Sequence, residues 1–125
     1  MKDLAALRLY FPNATRANAT RFWHRLSAPA LANHLIEVAA RDGIEQALFH
    51  HVDAGFLKGH RISRHHPELT SMQHPQCIEL VDSEEALRKF AAKHHNELQK
   101  VRAVLFKCEL PLDHAADLKE NEATA

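Results

Sequence analysis

Gln76-Cys77-Ile78-Glu79-Leu80-Val81-Asp82-Ser83-Glu84-Glu85-Ala86-Leu87 is the stretch that decides the fold. Cys77, Ile78, Leu80 and Val81 form a short apolar run with branched members, which predicts a strand over 76–81. Asp82 stands three residues ahead of Glu85, an acidic form of the capping box with Asp82 as N-cap. Leu87, Phe90, Ala91, His94 and Leu98 then fall on one helical face.

The chain repeats this logic on both sides. Downstream, 100–109 alternates Val101, Ala103 and Leu105 against Arg102, Val104 and Phe106, a half-buried strand that Pro111 ends. Upstream, 5–11 is apolar except for Arg8 and predicts a strand that breaks at Pro12-Asn13. Pro29 suits a first helical turn, Leu31, Leu35, Val38 and Ala39 keep one face, and Gly43 supplies the stop. Residues 45–52, with Ala47, Leu48, Phe49 and Val52, read as a further strand. Two long loops, 13–28 and 54–75, carry the remaining Asn, Gly, Pro and His residues.

The order β-α-β-β-α-β predicts an α+β, ferredoxin-like βαββαβ domain over 1–110. With right-handed crossovers its four strands form an antiparallel sheet in the order 4-1-3-2, both helices on one face. The uncovered face then carries apolar side chains, and self-association is the simplest way to bury them. Residues 111–125, with Asp113, Asp117, Glu120 and Glu122 against Lys119, read as an acidic tail that frays.

The balance of sixteen Lys+Arg against sixteen Asp+Glu in 125 residues argues against nucleic acid as a partner. No apolar run approaches the roughly 18 residues of a membrane span, and the first ten residues lack the pattern of a signal peptide. The expected place is the cytoplasm, in a protein not itself embedded in a membrane. Cys77 and Cys108 fall at opposite ends of the expected sheet and stay free thiols.

Topology gathers charge that composition hides. The 13–28 loop, the 54–75 loop and the connection before the last strand share one end of the sheet, and place Arg16, Arg21, Arg25, Lys58, Arg61, Arg64, Lys93, Lys100 and Arg102 there against Glu68 and Glu97. Such a rim attracts a phosphate, a carboxylate or an acidic protein surface. Eleven histidines raise a second possibility. His60, His65, His66 and His74 share one loop and could converge on a divalent metal with His24 or His50, although neither HxH nor HExxH occurs. No GxSxG turn marks a serine nucleophile, so the expectation is a binding protein and not an enzyme.

Several short pieces in fixed order carry a resemblance: Leu7-Arg8-Leu9-Tyr10, Trp23-His24, Asp42-Gly43-Ile44, Ala54-Gly55-Phe56, His60-Arg61-Ile62 and Glu79-Leu80-Val81-Asp82 running into Ser83-Glu84-Glu85. In these the chain, from Leu7 to Glu109, resembles the PII-like proteins of the domain-of-unknown-function 190 family, related to the nitrogen regulatory PII signal-transduction trimers. The resemblance implies a homotrimer whose second loop, the T-loop of PII, contacts a protein target such as a regulated enzyme or a membrane transporter. It implies a small effector, an adenine nucleotide or another anion, in the clefts between subunits. The residues expected at that ligand are Arg25, Gly55, Phe56, Lys58, His60, Arg61, Arg64, Lys100 and Arg102. The chain departs from PII in one respect. The glycine-rich phosphate segment before the last strand is replaced by His95-Asn96-Glu97-Leu98-Gln99-Lys100, which argues against ATP held in the PII manner. The alternative is a histidine-rich binder of divalent metal, of the cation-tolerance type.

Overall fold

A computed structural model describes residues 3–15, 30–66 and 70–113. The elements are β1 (Leu4–Pro12), α1 (Leu31–Arg41), β2 (Gln46–His50), β3 (Ala54–Gly55), β4 (Ser63–Arg64), β5 (Pro75–Ser83), α2 (Glu84–Lys93), α3 (His95–Leu98) and β6 (Arg102–Lys107), closed by a 3-10 turn at Pro111–Asp113. The fold is mixed α+β. Four strands pair antiparallel in the order β2-β5-β1-β6, while β3 and β4 form a separate two-stranded ribbon. Counted without the ribbon, the sheet therefore runs fourth, first, third, second in chain order.

Alternation in the two central strands sets the faces. Leu7 stands opposite Leu80 and Leu9 opposite Ile78, and the next strands continue the rows with Leu105 on β6 and with Ala47 and Phe49 on β2. This face meets Leu31, Ala32, Leu35, Val38 and Ala39 of α1, Leu87 and Phe90 of α2 and Leu98 of α3 in one buried cluster. Both long helices thus lie on one side. Burying a leucine of this kind contributes about 1.5–3 kcal/mol, so a single slip of the β1/β5 register would expose the whole row at a prohibitive cost.

The helix ends explain their own positions. At α1 the Gly43 N–H donates to the Ala40 carbonyl and the Ile44 N–H to the Ala39 carbonyl, a Schellman closure that needs the left-handed φ of 76° held by Gly43. At α2 the N-cap is Ser83, not Asp82 as the sequence suggested: Ser83 Oγ accepts from the Ala86 N–H at 3.1 Å. The reason is that β5 runs two residues further than expected, its last residue pairing with Leu4. Asp82 remains a strand residue, buried, and its carboxylate accepts from the Glu45 N–H at 3.0 Å and the Ser83 N–H at 2.6 Å.

The helix expected to continue to Leu98 is instead broken at His94. Asp42, just past α1, takes Lys93 Nζ at 2.8 Å and His94 Nε2 at 2.7 Å, and the His94 ring packs on Phe90 with 4.5 Å between centroids. These contacts fix α2's last residues against the end of α1. Hydrogen bonds from Lys93 and then His94 hold the Asp42 carboxyl below the usual carboxylate range.

Candidate functional site

The long loop of the sequence reading contains an ordered arm. Ala54 pairs with Arg64 and Gly55 with Ser63, and the chain reverses through a turn in which the His60 N–H donates to the Leu57 carbonyl and Gly59 adopts a φ of 85°. The base of the arm is tied down by His74, which is only 5% exposed. Its Nε2 faces the Val52 carbonyl, which can only accept, so Nε2 carries the proton. In that tautomer Nδ1 accepts from the Ser63 hydroxyl at 2.8 Å. One imidazole thus pins both legs of the arm to the start of β5.

Beside this brace lies a cleft of about 150 Å³ at the end of the sheet where β2 stops and β5 begins. His50, His51, His65 and His74 line it, together with Phe49, Asn13 and Gln76. The Gln76 amide donates to Asn13 Oδ1 at 2.6 Å, and the Asn13 N–H donates to the His74 carbonyl at 2.8 Å, joining β1 to the start of β5.

The expected ligand residues divide into groups. Lys58, Arg61 and Arg64 are exposed on the arm, none of them in an ion pair among the described residues, and Phe56 and Ile62 stand out beside them at 63% and 68% exposure. Gly55 is not a sterically obligatory glycine, since a Cβ there would make ordinary contacts with Pro75 and Val52 at 3.7 and 3.8 Å. His60 Nδ1 is buried without a hydrogen-bond partner. Arg102 opens β6 opposite Tyr10, and Lys100 precedes it. They share an end of the sheet with the arm but belong to its opposite edge, about 14 Å away across three strand spacings. Lys93 is withdrawn from the rim altogether, because Asp42 holds it where α1 leads into β2. Arg16, Arg21, Trp23, His24 and Arg25 lie outside the described residues.

The metal alternative loses ground at His74, both of whose ring nitrogens are engaged. The His65 and His74 rings are 6.2 Å apart, and no three His, Cys, Asp or Glu side chains converge as a metal site among the described residues. The sequence reading missed Asn13, Phe49, His51 and Gln76 as site residues. The paired histidines were the available signal, but spacing alone did not show that they line a cavity.

The face without helices carries a second polar constellation. Arg8 Nε donates to Glu79 Oε2 at 2.8 Å and its guanidinium lies 5.0 Å over the Phe106 ring, while His50 Nε2 approaches the same Glu79 oxygen at 3.4 Å. The hydrogen bond to Glu79, then one to Tyr10, raises the Arg8 pKa. Leu48 and Phe106 are 45% and 43% exposed on this face. Cys77 lies between His50 and Tyr10 in the cross-strand rows, and burial pushes its thiol pKa up.

Comparison with protein families matches residues 19–110 to DUF190, described as "Uncharacterized ACR". The chain belongs to this family. The match takes in the arm, the sheet except β1, and the cleft lining except Asn13. A search of curated proteins finds no match for the DUF190 chain. Among solved structures it is similar to an amidase of the hydantoinase/carbamoylase family from Burkholderia phymatum, at 14% identity and a TM-score of 0.32. That alignment covers 88% of this chain and 29% of the amidase, so the DUF190 chain spans under a third of that protein's length. No helix among its described residues is long and apolar enough to cross a membrane.

Proposed function

We infer that this DUF190 chain is a PII-like regulatory protein of ferredoxin-like type, non-catalytic, that binds a small anionic effector and presents the 54–75 segment to a protein target. The observation that carries the reading is the arm. In a chain of zero net charge, residues 54–64 hold three cations in no ion pair among the described residues and no acid of their own, with two exposed apolar side chains beside them. Such a surface fits an acidic partner group and has no use in the chain's own packing. On the helix-free face Leu48 and Phe106 are half-exposed beside the Arg8–Glu79 pair, which supports assembly through that face, as a homotrimer in the PII manner. An adenine nucleotide is the first effector class to test.

Thermal unfolding against a panel of adenine nucleotides, organic acids and divalent metals tests the reading, because a ligand of the folded state raises the midpoint by mass action. The expected result is stabilisation by an anion, lost on Arg61→Ala or Arg64→Ala. A charge-assisted contact contributes about 1.5–3 kcal/mol, so each change should weaken binding by roughly ten- to hundredfold. Stabilisation by divalent metal alone, abolished by replacing His65 and His66, would replace this reading with the metal one.

A further inference from the structure

The cleft at the base of the arm is distinct from the arm's cations. Its volume of about 150 Å³ gives room for about five waters, which limits an occupant to a handful of heavy atoms. Among the described residues no carboxylate lines it. His74 is spent on Val52 and Ser63 and His50 is turned toward Glu79 at 3.4 Å, which leaves the edges of His51 and His65. His51 lies flat on Phe49, centroids 5.3 Å apart and planes 17° from parallel, so the stack uses the ring's face and leaves its nitrogens at the rim. The Thr70 hydroxyl donates to the His66 carbonyl at 2.9 Å, so at its 3.5 Å approach to Thr70 Oγ1 the His65 Nδ1 is the donor, and Nε2, without a partner among the described residues, donates to an anion from the protonated ring only. In the Asn13–Gln76 pair one amide donates to the other, and whichever way the two are turned, one NH2 group remains without a partner in the pair. Among the described residues the wall thus offers imidazole nitrogens and an amide NH2 group and no acid.

We propose that this cleft binds a small oxyanion, the size of inorganic phosphate or of a two- to four-carbon carboxylate, between His51, His65 and the Asn13–Gln76 amide pair. The site lies within one chain and depends neither on a trimer nor on the arm-tip cations, so it goes beyond the regulatory reading. A protonated imidazole adds charge to such a contact. Both rings sit among other titratable and charged groups. At the end of β2, His50 is turned toward Glu79, which Arg8 already holds. The arm contributes Arg64 beside His65, and Asp53, whose carbonyl takes the His65 N–H at 2.6 Å. On the β5 side stands His74, fixed by its two hydrogen bonds.

The test follows the ring nitrogens of the full chain by long-range proton–nitrogen NMR while inorganic phosphate, or in a second arm malonate, is titrated at pH 6. Saturable shifts at His51 and His65 are expected from charge-assisted contacts. His51→Gln and His65→Gln should each weaken binding by about tenfold or more, and Arg61→Ala should leave it unchanged. The tighter of the two anions names the chemistry of the occupant. If neither anion moves either ring at pH 6 in the unsubstituted protein, the site does not exist. If Arg61→Ala weakens binding as strongly as His51→Gln, the anion sits on the arm, which overturns the cleft and leaves the regulatory reading standing.

Discussion

Replacing His74 by leucine should release the arm while the sheet stays folded. The substitution keeps an apolar side chain of similar bulk in a position 5% exposed, but removes the bonds to Ser63 Oγ and the Val52 carbonyl. Each of the two bonds contributes about 1 kcal/mol net, and an unsatisfied, partly buried carbonyl adds about 1–3 kcal/mol, so the expected loss is about 3–5 kcal/mol. Urea unfolding followed by circular dichroism measures it, with an unchanged m-value showing that the two-state comparison holds. Amide exchange locates it: protection should fall at His65, whose N–H donates to the Asp53 carbonyl, and across Ala54–Gly55, while Leu7 and Leu80 in the central pair keep theirs. A double-mutant cycle with Ser63→Ala should return a coupling of at least about 0.5 kcal/mol. A loss under about 1 kcal/mol, or unaltered protection in the arm, would refute the assignment of His74 as its pin.

Light scattering should give three times the 14.2 kDa chain mass, and Leu48→Glu on the open sheet face should reduce it to one; a 14.2 kDa species for the unsubstituted protein would remove the trimer. Two thiol classes should appear with a chromogenic disulfide at neutral pH: exposed Cys108 reacts fast, whereas Cys77, buried and with its pKa raised, reacts slowly, and Cys108→Ser should delete the fast phase. Asp42 has a folded pKa below the unfolded value of about 3.9, so its stabilising effect is present above that pH and disappears as pH falls through the folded value. Asp42→Asn should therefore destabilise the protein at pH 6, and the gap to the parent should close in acid unfolding below about pH 4.

The regular elements were legible because their signals are local. Gly43 announced the end of α1, and the apolar rows of β1 and β5 showed which residues meet the helices. Boundaries failed where a tertiary contact decides them. Nothing in 82–85 shows that Leu4 will draw β5 on to Ser83, which moved the cap by one residue. The break at His94 is set by Asp42, a residue about fifty positions away, and the apolar pattern through Leu98 runs straight across it. The arm escaped notice because strands of two residues have no period to read. The histidine count pointed at chemistry in the right segment, yet His74 proved to be a structural tie, and the cleft needed Asn13 and Gln76, polar residues at the ends of long strands.

The strand order also has a consequence for how the chain is made. β1 and β2 do not touch each other, and each borders β5. Arg8 and Glu79, neighbours in the finished sheet, are separated by 71 positions. A nascent chain leaving the ribosome with β1, α1 and β2 complete therefore has no sheet to form, and its apolar rows wait for β5 to emerge. Loop closure over such a distance must precede the contacts that reward it, which slows folding relative to a helical domain of the same size. Any helper that shields hydrophobic segments during synthesis would act on the half-made chain between β2 and β5, the interval in which the arm is being produced.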